Sequence, residues 1–180
     1  EHPSTATTYH SIGNVLCNQG KYDDAMQQYQ RALAIKLRTL GPEHASTATT
    51  YHCIGNVLSN QDRYEEALHM FEKALEIKVT ALGAEHASTA TTYHCIGNVL
   101  SNQDRYEEAL HMFEKALEIK AMALGPEHTS TATTHHYIGN VLHNQGRYKD
   151  ALLIFKKALK IKVTALGPEH ASTATTHHCI

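Results

Sequence analysis

The chain of 180 residues carries 16 Lys and Arg against 18 Asp and Glu, a formal net charge of -2, and 42% of its residues are hydrophobic. These are the proportions of a soluble globular or repeat protein, and a near-neutral charge argues against a general nucleic-acid binder. No apolar run approaches the roughly 20 residues that cross a bilayer, and the chain opens at Glu1, without Met or a signal-like segment.

The opening stretch "EHPSTATTYHSIGNVLCNQ" predicts a first helix with Pro3 in its first turn and His2 near the cap. "NQGKY" makes a turn in which Gly20 suits a left-handed cap. A second helix then runs to Leu40, where "LGPEH" stops it. Tyr9, Ile12 and Leu16 on the first helix, and Tyr22, Ala25, Tyr29, Ala32 and Leu33 on the second, follow helical spacing and read as core. Gly13 has no side chain, so the second helix can come close, with Ala25 and Ala32 serving the same end. The threonines of "STATTY" are mediocre helix formers, so packing has to hold the first helix.

The pattern then starts again at Glu43, predicting a helix from Ala45 to Asn60 and another from Tyr64 to Leu82. The second of these carries Glu65 and Glu66 early and Lys73 and Lys78 late, as its dipole prefers. "EHASTATTYHCIGNVLSNQDRYEEAL" recurs letter for letter at Glu85, and "EHTSTATTHHYIGNVLHNQGRYKDAL" follows at Glu127. "GNVL" falls at Gly13, Gly55, Gly97 and Gly139, a period of 42. The expected organisation is one continuous solenoid domain of repeats 1–42, 43–84, 85–126 and 127–168. A fifth begins at residues 169–180 and stops mid-helix at Ile180.

Gly13, Leu16, Gly20, Tyr22, Ala25, Tyr29 and Ala32 resemble the tetratricopeptide repeat (TPR) motif. The usual motif is shorter and closes its second helix with Pro where this chain has Leu37. The longer helix, followed by "LGPEH" and "ATT", is similar to the 42-residue repeats of kinesin light chains and of related arrays of near-identical units. The resemblance implies an all-α fold, a right-handed α-solenoid (superhelix) of TPR-like helix-turn-helix repeats. It also implies that the first helix of each pair lines a concave, ligand-facing side. The positions so implied for peptide binding are His10, Asn14 and Asn18; His52, Cys53, Asn56 and Asn60; His94, Cys95, Asn98 and Asn102; and His136, Asn140 and Asn144. They are polar or small, four residues apart along each helix, and an Asn can both donate to and accept from a peptide backbone. Asn14 also matches the asparagine that holds peptide backbone in many TPR clamps.

Other chemistry is poorly served. A zinc site needs three or four converging ligands, whereas the ladder His10, His52, His94, His136 and His178 places one imidazole per repeat. No metal or other cofactor is expected. No nucleophile elbow, P-loop or catalytic carboxylate pair occurs, so no enzymatic activity or small-molecule substrate is expected. Cys53, Cys95 and Cys179 recur at one repeat position, too far apart for disulfides, and read as reduced thiols of an intracellular, cytoplasmic protein. An imidazole ladder titrating near pH 6.5 would make a pH-sensitive surface. His44, His86, His128 and His170 read as caps, and His135 and His177, standing where Tyr9, Tyr51 and Tyr93 do, as packing residues.

Charge is what differs between repeats: +1 in the first, -3 in the second and third, and +4 in the fourth, where Lys149, Lys156, Lys157, Lys160 and Lys162 cluster. The expected function is a non-catalytic protein-interaction scaffold whose partner is a protein or peptide, with neither nucleic acid nor membrane. The alternative is a structural array that stacks end to end with its own copies through uncapped apolar ends.

Overall fold

A computed structural model describes residues 2–179. Its helices are α1 (Pro3–Asn18), α2 (Tyr22–Thr39), α3 (Ala45–Asn60), α4 (Tyr64–Leu82), α5 (Ala87–Asn102), α6 (Tyr106–Leu124), α7 (Thr129–Asn144), α8 (Tyr148–Leu166) and α9 (Ala171–His178). The fold is all-α. The expected mid-helix stop at Ile180 lies outside the described residues. The chain forms two compact units, Glu1–Ala84 and Glu85–Ile180. In the first, α1 pairs with α2 and α3 with α4, and α3 packs on α2. In the second, α5 pairs with α6 and α7 with α8, α7 packs on α6, and α9 lies against α8.

Each hairpin closes on a glycine facing an aromatic ring. A Cβ on Gly55 would stand 2.8 Å from Cε1 of Phe71, and one on Gly139 only 2.5 Å from Cε1 of Phe155. The smallest residue thus admits the largest, and Ala67, Ala74 and Phe71 are buried beside it.

The threonines owe their place in the helices to tertiary bonds. Thr47 Oγ1 donates to the Gly41 carbonyl at 2.9 Å, and Thr131 and Thr173 reach Gly125 and Gly167 in the same way at 3.0 and 2.9 Å. Buried hydroxyls are thereby satisfied, and each helix start is tied to the end of the helix before it.

The loop histidines are N-caps. His2, His44, His86, His128 and His170 each stand in extended conformation with Nδ1 accepting from the amide of the serine two residues on, at 3.0 to 3.2 Å. In the tight turns Gly20 and Gly146 take φ of 73° and 75°, and Asp62 and Asp104 accept the same left-handed conformation at 58° and 59°. Tyr64 Oη donates to Asp62 Oδ1 at 2.6 Å.

One core expectation is corrected. Ile12 is 42% exposed and its neighbour Val15 56%, against 5% and 0% for Ile54 and Val57. The helix carrying Ile54 and Val57, α3, lies on the preceding hairpin, whereas no described hairpin precedes α1.

Candidate functional site

The polar stripe of each odd-numbered helix grades from half-buried to open. His10, His52, His94 and His136 are half-buried, as are Asn56, Asn98 and Asn140, while Asn14, Asn18, Asn60, Asn102 and Asn144 are exposed. Cys53 and Cys95 are half-buried. In the first unit the stripes of α1 and α3 meet. Asn14, Cys17, Asn18, Tyr29, Cys53 and Asn56 line one cavity of about 320 Å³. Tyr29 Oη donates to Asn14 Oδ1 at 2.7 Å, fixing the carboxamide and leaving its NH₂ to donate. Tyr29 stands where the other hairpins have Phe71, Phe113 and Phe155, so this hydroxyl belongs to the first hairpin alone. Burial pushes the Tyr29 phenol and the Cys17 and Cys53 thiols up, which keeps all three protonated.

The histidine ladder is built into the packing. Each imidazole meets an aromatic ring of the paired helix, with centroids 5.3 Å apart for His10–Tyr29 and His52–Phe71, 5.2 Å for His94–Phe113 and 5.5 Å for His136–Phe155. In His10, His94 and His136 the Nδ1 faces the hydroxyl of a threonine on the next odd-numbered helix, at 3.4 Å in His10–Thr50 and His94–Thr134 and 3.2 Å in His136–Thr176. Behind each threonine stands a buried lysine: Lys36 Nζ donates to Thr50 Oγ1 at 2.9 Å, Lys120 to Thr134 at 2.9 Å and Lys162 to Thr176 at 2.8 Å. Lys36 donates also to the Ser46 carbonyl at 3.1 Å.

This arrangement corrects two expectations. Burial and the neighbouring ammonium groups hold His10 at a pKa of about 4 and His52 and His94 at about 3, and they lower His136 too. His10, His52 and His94 are therefore neutral from pH 5.5 to 7.5, so these three do not make a pH-sensitive surface there. Lys78, expected as a late-helix charge that suits the dipole, and Lys162, expected as part of a basic cluster, are buried at 3% exposure. Burial lowers the pKa of Lys36, Lys120 and Lys162. The available signal was that "IK" returns every 42 residues, at Lys36, Lys78, Lys120 and Lys162, while the residue just before it changes among Ala34, Glu76, Glu118 and Lys160. A solvated lysine has no reason to keep register.

His135 is buried, with its pKa lowered to about 4 by desolvation and then by Lys157, and its Nδ1 has no hydrogen-bond partner. His177, expected to pack likewise, is exposed. No group of three or more His, Cys, Asp or Glu side chains is placed to share a metal ion among the described residues. None of their helices is long and apolar enough to cross a membrane.

Helix hairpins with a glycine against an aromatic ring, repeated and stacked, define a helical-repeat protein. The tetratricopeptide repeat family matches residues 4–78 and 88–162, and the chain belongs to that family. Its repeats typically serve as protein-interaction scaffolds and are in general non-catalytic. Among solved structures, a kinesin-light-chain-type protein of nearly identical TPR-like repeats from Podosopora anserina is similar at 23% identity and a TM-score of 0.82, over 99% of this chain and 85% of that one. BtubC (BKLC) from P. vanneervenii is similar at 21% identity and 0.83, over 93% and 67%. The apo form of RapI is similar at 23% and 0.80, over 92% and 58%. Identities this low show the fold alone. No curated protein matches the chain.

Proposed function

We propose that this chain is a non-catalytic protein-interaction scaffold, built of four 42-residue repeats and the start of a fifth, that holds an extended peptide or a helix along its odd-numbered helices. The observation that carries this reading is the cavity between α1 and α3, where Asn14, Asn18 and Asn56 converge beside the Tyr29 hydroxyl. Carboxamides offer paired donors and acceptors to a peptide backbone, and the neutral imidazoles add hydrogen-bonding groups without charge. Cys53 and Cys95 add small, uncharged contacts between them. The ligand that fits has few charges of its own. A screen of a peptide library by fluorescence polarisation tests this. The expected result is a saturable binder that is weakened at least tenfold by Asn56→Ala with Asn98→Ala. A library without such a binder, or a binder indifferent to both asparagines, defeats the reading.

End-to-end stacking of copies is a second reading, favoured by the exposure of Ile12 at 42% and Val15 at 56%. Sedimentation velocity across a hundredfold concentration range, with an Ile12→Lys, Val15→Lys variant alongside, tests it. Apolar stacking predicts a mass that grows with concentration in the parent chain, persists in high salt, and stays near 20.0 kDa in the variant.

A further inference from the structure

The even-numbered helices carry a second surface that the peptide reading does not use. On α8, Lys149, Leu153, Lys156 and Lys160 are spaced i, i+4, i+7 and i+11, which puts them on one face. All four are exposed, and Leu153 is open at 69%. The carboxylate on the same helix, Asp150, is held by Arg147 at 2.9 Å, so it does not neutralise the lysine row.

The same positions on α4 and α6 hold the opposite charge. One period back, α6 has Glu107, His111, Glu114 and Glu118, and two periods back α4 has Glu65, His69, Glu72 and Glu76. These side chains too are exposed. Three lysines on one helix thus answer three glutamates on each of two others at identical spacing.

Lys157 adds to the basic side through a change of packing. Its counterparts Lys73 and Lys115 lie over the rings of Tyr51 and Tyr93, with Nζ 5.8 and 5.5 Å from the centroids, and are half-buried. Where those tyrosines stand, the fourth repeat has His135, and Lys157 is exposed.

We propose that α8 is a docking face for a second copy of this chain, which presents the glutamate row of its α4 or α6. The contact is sideways, between even-numbered helices, and is distinct from stacking through Ile12 and Val15. Because the two faces differ, it is heterologous and can propagate beyond a dimer. Each surface ion pair contributes little alone, so the association draws on the whole row and is sensitive to salt.

Charge exchange tests this in the intact chain. Lys149→Glu with Lys156→Glu and Lys160→Glu leaves three acidic rows. Glu72→Lys with Glu76→Lys, Glu114→Lys and Glu118→Lys makes α4 and α6 basic like α8. Sedimentation velocity at about 20 mM salt is expected to show at least a doubling of mass in the parent chain, lost at about 500 mM where the Debye length is a few ångströms. Each variant alone is expected to stay at the 20.0 kDa of one chain. An equimolar mixture of the two is expected to associate again. Circular dichroism confirms that the exposed substitutions leave helix content intact. A parent chain that stays at 20.0 kDa in low salt overturns the proposal, as does association indifferent to salt and to both variants. An α8 meant for some other acidic protein gives the first of those results.

Discussion

Lys36 Nζ lies 2.9 Å from Thr50 Oγ1, so a lysine at the end of one hairpin is held by the first helix of the next. The same bond joins Lys120 to Thr134 and Lys162 to Thr176. A buried ammonium needs these oxygens, because a charge without them carries a desolvation cost of several kcal/mol.

The two sides of that bond are therefore unequal. Thr134→Val removes an oxygen from Lys120 and is expected to cost about 1–3 kcal/mol in urea unfolding. Lys120→Met removes the charge as well and is expected to cost less. The pair Lys120→Met, Thr134→Val should come out more stable than Thr134→Val alone; additive losses would show that the bond is not what couples them.

The buried imidazoles make stability fall in acid. His10 and His135 at about 4, and His52 and His94 at about 3, lie below the 6.5 of the unfolded chain. Below 6.5 the unfolded state binds protons that the folded state refuses, so stability declines as pH falls through that region. The slope is at most about 1.4 kcal/mol per pH unit for each histidine. Melting temperature should be level near neutrality and fall steeply from pH 6.5 to 4.5, whereas peptide binding measured with the chain still folded should not change from pH 7.5 to 5.5. A level melting temperature down to pH 4.5 would mean these imidazoles are solvated.

Glycine-to-alanine changes at the hairpin crossings should rank by distance. Alanine normally strengthens a helix by about 1 kcal/mol over glycine. Here its methyl would stand 2.5 Å from the Phe155 ring at Gly139 but 3.0 Å from Phe113 at Gly97. Overpacking of this kind costs about 1–3 kcal/mol. Gly139→Ala should lower the urea midpoint more than Gly97→Ala, and Phe155→Leu should relieve it. Equal effects at both sites would exclude the ring contact as the cause.

The cap histidines act as acceptors and should be replaceable by other acceptors. His44→Ala is expected to cost about 1 kcal/mol, and His44→Asn or His44→Ser to recover most of it, by urea titration. Failure of Asn and Ser alike would point to a packing role for the ring.

How far the letters carried can be traced through particular residues. Period and punctuation placed α3 at Ala45–Asn60 and α4 at Tyr64–Leu82, because caps and breakers act within one turn of the chain. Gly55 against Phe71 was legible in part, since a glycine amid apolar residues at helical spacing signals a close approach. Lys78 was legible only as a late-helix charge, because its burial depends on surroundings that its own helix does not reveal. The histidines misled for the same reason. Their spacing drew a stripe along the face, but their protonation is set first by burial and then by Lys36, Lys78, Lys120 and Lys162, none of which is local in sequence. The bond from Tyr29 to Asn14 was out of reach altogether, since a phenol fifteen residues away gives no local sign of where it points.

The lysine and histidine of one hairpin and the threonine of the next are the same residue types at the junctions made by Lys36, Lys120 and Lys162. Gain or loss of a whole 42-residue period would leave a lysine and a threonine to meet at such a junction, since both recur with the period. The joint is thus modular: its chemistry depends on the period and not on the number of repeats.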